Sequence, residues 1–331
     1  MKNCLLIPTY PPHFSYALKL ITSFEKFNSD KTGADIFLII NKCDHNSLQN
    51  HISKFNFNNI NLNILFLEDV LNKLFKISVS PTENLTKLFK DKWSFQSVKK
   101  IVTLKYLVDV KNYDNVYTMD SEGMFIRPFS FHSIISNYLK NKRVFFNSKQ
   151  RYKLTGKWPQ NKISKELLKT ETNPPGWLLE NYLWIYEKNI VNDFFNFIFR
   201  NKSSIDDLLF TFPIKSYLEI IYYHFIFINN SIYEYNFLDT YKLYQNYLDE
   251  KDLDLMIKEM YSLMEGTCKV ITFYPHTIDK ISKMYVDENI TNLRLHERRE
   301  VNQSNIDFLK KTKSVLCINS GEYPLKFEID I

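Results

Sequence analysis

Three almost uninterrupted apolar runs constrain this chain most: CLLIPTY (4–10), DIFLIIN (35–41) and NLNILFL (61–67). Each is too short to be a membrane span. The first two read as buried strands and the third as a further strand. Helical patterns separate them. After the Pro11-Pro12 turn, Phe14, Ala17, Leu18, Ile21, Phe24 and Phe27 fall on one helix face. Asp44 is placed to cap a second helix carrying Leu48, Ile52 and Phe55. A third helix, over 96–110, buries Val98, Ile101, Val102 and Val108 and feeds the strand NVYTM (115–119). Strand–helix–strand alternation requires crossover connections, hence a largely parallel sheet covered by helices on both faces.

The second half is less regular. VFFNS (144–148) reads as a strand, and 151–176 is a polar stretch containing Lys and Pro. ENYLWIYEKN (180–189) is strand-like and runs into a helix with Val191, Phe194, Phe195 and Ile198. An aromatic helix near 215–230, a strand near 233–238, a helix near 251–263 and strands near 269–274 and 314–319 follow. The division this suggests is 1–150 and 151–331, joined in one continuous α/β domain.

Composition removes several classes of mechanism. The chain has 6 glycines, where average usage would give roughly 23, and all are isolated. Neither a G-x-G-x-x-G turn nor a Walker loop is present. A bound phosphate must therefore be held by a metal, by Lys and Arg, or by a helix N-terminus. The formal charge of +6 is spread along the chain, which argues against a nucleic-acid stripe and suits an anionic small substrate or an anionic membrane face. The four cysteines have no C-x-x-C spacing and read as buried free thiols; Cys43, His45 and His51 lack a fourth zinc ligand. No signal-peptide pattern follows Met1, and YLEIIYYHFIFI (217–228) holds Glu219 and His224 and is too short to span a bilayer. The expectation is a cytoplasmic chain, soluble or peripheral to the membrane's inner face.

Chemistry concentrates at VYTMDSEGMF (116–125), where a strand ends in Asp120 and Glu122 one residue apart, followed by Gly123. In a parallel sheet ligands sit beyond the carboxyl ends of the strands. Two acids there can share one Mg²⁺ or Mn²⁺ that bridges to substrate phosphates, with Gly123 leaving room for a diphosphate or sugar. Two surface acids at a solvated strand end are the plain alternative.

Taken in order, LLIPTYPPHF, FQSVKKIVTLKYL and YDNVYTMDSEGMFIRPF resemble the GT-A glycosyltransferases, nearest to bacterial types that build capsular or lipid-linked surface glycans. The likeness covers roughly 4–28 and 93–129, and Glu122 stands where the family's metal motif usually has Asp. It implies a three-layer α/β/α fold with a mostly parallel, mixed sheet and a helix-rich C-terminal half. It also implies sugar transfer from a nucleotide-sugar to a glycan or lipid-linked glycan acceptor, assisted by Mn²⁺ or Mg²⁺. On that resemblance Thr9 and Tyr10 contact the nucleotide, and Gln96 and Lys100 point at the donor from one helix face. Asp120 touches the sugar or ribose and the metal, and Glu122 the metal. PPGWLLEN (174–181) resembles the acceptor loop of inverting members and makes Glu180 the candidate general base. His296 is a candidate metal ligand, with His276 beside it; His224 reads as a satisfied core residue. Two other functions stay open: a non-catalytic glycan-binding scaffold with a decayed site, and a sugar nucleotidyltransferase, which the glycine-free IPTYPPHFSYALK disfavours.

Overall fold

The computed structural model describes residues 1–30, 33–76, 78, 92–121, 123–125, 128–146, 148, 159–178, 184–200 and 216–239, and the backbone of strands at 269–273, 290–295 and 316–319; at 92–94 and 159 also, only the backbone is described. The chain alternates as the apolar runs require. Strand β1 (Asn3–Pro8) leads to helix α1 (Phe14–Phe27), β2 (Ala34–Ile40) to α2 (His45–Ile52), and β3 (Ile60–Phe66) to α3 (Leu67–Phe75). Helix α4 (Lys92–Asp109) then feeds β4 (Asn115–Thr118). A short strand β5 (Gly123–Phe125), helix α5 (Phe131–Asn141), strand β6 (Arg143–Phe146) and helix α6 (Pro159–Leu168) follow. Beyond them come β7 (Trp184–Glu187), α7 (Lys188–Ile198), α8 (Leu218–Ile228), α9 (Asn230–Tyr233) and β8 (Asn236–Asp239). The last described strands are β9 (Lys269–Phe273), β10 (Ile290–Leu295) and β11 (Leu316–Asn319).

The central sheet has the order β3-β2-β1-β4-β7, parallel except for β7, which pairs antiparallel with β4 at one edge. Every residue of β1 is buried, as expected of a middle strand covered on both faces. The edge strand β3 is half-exposed along most of its length. Helix α1 packs on α2 and β5, while α4 packs on α3, α7 and α8. The fold is thus a mixed, mostly parallel α/β sheet clothed by helices. Two smaller sheets complete it: β5-β11-β10-β9, in which β5 runs antiparallel to β11, and the parallel pair β6-β8. No helix among the described residues is long and apolar enough to cross a membrane.

Several local expectations need correction. Asp44 makes no side-chain bond to the start of α2; it is the last residue of a 3-10 turn (Lys42–Asp44), so its backbone is already helical and cannot adopt the extended cap geometry. Phe55 lies beyond the end of α2 but still packs on the core. Cys4 is buried as read, but Cys43 is exposed, its thiol 3.7 Å from Asp44 Oδ1. The stretch 151–176 contains α6, whose inward face carries buried Gln160, Asn161 and Ser164 and so shows no apolar periodicity. The expected helix at 251–263 lies outside the described residues.

The candidate site at the sheet's switch point

The chain runs from β1 outward to β3, then returns to place β4 on the other side of β1. That reversal falls at the carboxyl ends of β1 and β4, the place where doubly wound sheets bind ligands. The loops after these two strands line it.

After β1, Thr9 N–H still donates to Ile39 of β2 at 3.3 Å, prolonging the ladder by one residue. Pro11 and Pro12 then force a 3-10 turn (Pro11–His13), and His13 N–H returns to the Tyr10 carbonyl at 2.8 Å. This stacks the Tyr10 ring on His13 with centroids 4.3 Å apart, and the Tyr10 hydroxyl lies 2.7 Å from His13 Nε2. The other ring nitrogen, Nδ1, is 3.1 Å from Ser121 Oγ in the loop after β4. One hydrogen-bonded chain therefore stitches the two strand exits together. Thr9 itself is fully buried, and its Oγ1 has no hydrogen-bond partner among the described residues.

After β4, Asp120 and buried Ser121 form a tight turn closed by Gly123 N–H on the Asp120 carbonyl at 3.2 Å. Gly123 opens no room for a ligand, contrary to the sequence reading. A Cβ there would lie 2.9 Å from Met119 Cε and 3.6 Å from Leu20 Cδ1, so the glycine lets the turn fold back onto the core.

Helix α4 contributes two lysines. Consecutive lysines on a helix point about 100° apart, and Lys99 and Lys100 find different partners. Lys99 is buried and donates to the Thr9 carbonyl at 2.6 Å, fixing the end of β1. Burial pushes its pKa down to about 8, opposed by Asp44 and Glu68. Glu68, at the start of α3, accepts the Lys42 backbone N–H with both oxygens at 3.1 and 3.0 Å.

Lys100 lies between two carboxylates, 2.5 Å from Glu219 Oε1 and 3.3 Å from Asp120 Oδ1. Its ammonium also sits 5.0 Å from the Trp184 ring centroid. Burial disfavours its charge, but Asp120 and Glu219 outweigh that and hold its pKa above the ordinary lysine value. Ser97, one turn earlier on α4, positions Glu219. Its Oγ accepts Leu218 N–H at 3.0 Å and donates to the Ser216 carbonyl at 2.9 Å, docking the first turn of α8 against α4. The side chains of Lys100 and Glu219 are 10% and 6% exposed, whereas Asp120 is 36% exposed. The buried pair is thus neutral, and the third member presents one net negative charge at the strand ends.

Thr9, Tyr10 and Asp120 thus lie just beyond the carboxyl ends of β1 and β4, Thr9 fully buried, and Lys100 reaches Asp120 from α4, with Gln96 half-buried one turn before it. Glu122, Glu180 and His296, together with His276 and Arg127, lie outside the described residues. Reading the sequence missed Glu219, Lys99, His13 and Ser121. Glu219 had a signal: a carboxylate inside a run as apolar as 217–228 must find a partner or stay uncharged. Nothing local marks His13 or Ser121, because their contact spans 108 positions.

Among the described residues no three His, Cys, Asp or Glu side chains converge on one point. The donor chemistry nevertheless fits a hard divalent cation, which takes one or two carboxylates, several waters and substrate phosphates. Asp120 engages Lys100 through Oδ1 alone, leaving Oδ2 available among the described residues. A separate depression of about 460 Å³, lined by Met1, Asp114, Asn115, Glu187 and Lys188, lies at the amino end of β4, away from this chemistry.

Fold and site together define a doubly wound α/β protein with a charged side-chain cluster at its switch point. No protein-family model matches the sequence, and no curated protein does. Among solved structures the chain is similar to mouse xyloside xylosyltransferase 1 in its apo form, with 9% identity and a TM-score of 0.41 over 72% of this chain and 85% of that one. It is also similar to the apo WbbM bifunctional glycosyltransferase, with 12% identity and a TM-score of 0.44 over 98% of this chain. It spans 46% of the WbbM chain.

Proposed function

We propose that the chain is a glycosyltransferase that moves a sugar from a nucleotide-sugar donor to a glycan or lipid-linked acceptor of a bacterial surface polysaccharide. One observation carries this reading: Lys100, held by Glu219, meets Asp120 at the carboxyl ends of β1 and β4. An ammonium beside a half-open carboxylate at a switch point suits a diphosphate and a hard cation together.

On this reading Thr9 and Tyr10 line the nucleotide's place, the exposed Tyr10 ring offering a stacking face to a base. Lys100 neutralises diphosphate charge, with Gln96 beside it on the same helix. Asp120 holds the metal with Glu122, and His296 completes the set. Glu180 takes the proton from the acceptor hydroxyl if configuration is inverted. A bound Mn²⁺ or Mg²⁺ would supply Lewis-acid stabilisation of the departing nucleoside diphosphate. Residues 1–150 then serve the donor and 151–331 the acceptor, in a cytoplasmic enzyme working near the membrane's inner face.

The test is a thermal-shift screen against UDP, GDP, CDP and their sugars, with and without Mn²⁺. Ligand that binds only the folded chain raises the midpoint by mass action, a few degrees at about 100-fold saturation. We expect a metal-dependent shift with one nucleotide, lost in Asp120→Ala. No shift with any nucleotide would sink the reading and favour a glycan-binding scaffold.

A further inference from the structure

We propose that Lys100 is a built-in counter-ion that competes with the divalent cation for Asp120, so that the cation binds well only once a diphosphate has drawn the ammonium's charge away. The inference rests on Asp120 being the cation's ligand, as proposed above, and adds how that site is regulated.

The asymmetry of the two contacts is the starting point. Lys100 Nζ is 2.5 Å from Glu219 and 3.3 Å from Asp120, so Glu219 is its close partner and Asp120 its loose one. Exposure follows the same order: the Lys100–Glu219 pair is almost closed to solvent, while Asp120 is half-exposed. The buried pair cannot be pulled apart cheaply, because each charge would lose its closest partner in a low-dielectric place. The Asp120 contact is the longer of the two and partly open to solvent, so a ligand can compete for it. It is the contact that gives way.

A cation on Asp120 must therefore sit beside a fixed ammonium, and the repulsion weakens its binding. An ammonium has three donors. Glu219 and Asp120 take two, and the third is available to a phosphate oxygen beyond the strand ends. A diphosphate arriving there screens the ammonium and adds its own oxygens to the cation's shell. Each ligand then raises the affinity of the other by the same factor, as linkage requires. Glu219 is a positioning residue in this scheme: it holds Lys100 back from Asp120 without touching either ligand.

The experiment titrates Mn²⁺ alone, read by the electron paramagnetic resonance of the free ion, into the wild-type chain and four variants. In Lys100→Gln/Glu219→Gln an amide pair replaces the ion pair, which keeps the net charge and leaves no buried charge unpaired. We expect it to bind Mn²⁺ about tenfold more tightly than wild type, within the usual range of coupling between sites. Glu219→Gln, which leaves Lys100 to Asp120 alone, should bind about tenfold more weakly. Asp120→Ala and Asp120→Asn should lose the site. Wild type and double variant agreeing within twofold would overturn the proposal while leaving a cation site at Asp120 standing. Binding that survives both Asp120 variants would overturn it by putting the ion elsewhere. No Mn²⁺ binding in any variant, the double one included, would overturn it and the metal reading together.

Discussion

Helix α8 buries a glutamate and a histidine five positions apart, and they have opposite fates. Glu219, in the first turn, is charged, paired with Lys100 and linked through it to the half-exposed Asp120. His224 is fully buried and has no carboxylate partner among the described residues. Its Nε2 lies 3.0 Å from the Thr172 carbonyl, which can only accept, so Nε2 carries the proton. Its Nδ1 then accepts from Ser164 Oγ at 2.7 Å. Both ring nitrogens are spent, and burial pushes the pKa down to about 4, opposed by the Thr172 carbonyl and aided by Lys165. The difference teaches how to separate structure from function in one core. A buried titratable group whose bonding capacity closes within the protein specifies packing. One whose network ends on a half-open carboxylate has something left to offer a ligand.

The largest predicted effect breaks the charged end. Lys100→Met strands Glu219 as a buried, unpaired carboxylate and should cost about 3–5 kcal/mol in urea unfolding at pH 7. Lys100→Met/Glu219→Met should recover most of that loss; a double variant as unstable as the single one would mean that the pair's packing, and not its charge, matters.

At the neutral end the prediction is a pH dependence. The folded pKa of His224 is about 4 against an ordinary 6.5, so the unfolded chain binds the extra proton first as pH falls. The stability tied to a neutral His224 is complete above about pH 6.5 and is lost progressively as pH falls to about 4. The loss is about 3 kcal/mol at one pKa unit per 1.36 kcal/mol. Unfolding free energies at pH 4 and 7 should show it, and His224→Gln should flatten that slope. An unchanged slope in the variant would assign the acid sensitivity to other groups.

The smallest effect sharpens the contrast. Ser97→Ala removes the acceptor of Leu218 N–H at the start of α8 and should cost about 1 kcal/mol. It should weaken the Glu219 end alone and leave the His224 pH slope as it was. A changed slope would show the two ends to be one cooperative unit.

Much of the sheet was legible because its signal is local. The apolar runs at 4–10, 35–41 and 61–67 and the faces of α1 and α4 carry periodicities that only buried strands and amphipathic helices satisfy. Helix α5 was missed although its signals are local: Ser130 caps it, accepting Ser133 N–H at 3.1 Å, and Phe131, Ile134, Ile135 and Tyr138 share its buried face. Helix α6 was not legible, because it turns polar residues inward. The site divides in the same way. Asp120 stands out as an acid at a strand end, and Lys100 as a cation on a core helix. Their contact, and the third partner Glu219, come from elements 20 and 119 positions away.

By itself, then, the sequence determined the strands of the first half and helices α1 and α4, that β1 and β4 end in polar residues, and that no glycine-rich loop holds a phosphate here. Only the tertiary structure decided which polar residues face one another. Backbone propensity and burial are properties of neighbouring residues and their period, whereas the pairing of Lys100 with Asp120 and Glu219 exists only once the strand order and the docking of α8 on α4 are fixed. The same assembly spends His224 on packing and leaves Asp120 open to a ligand.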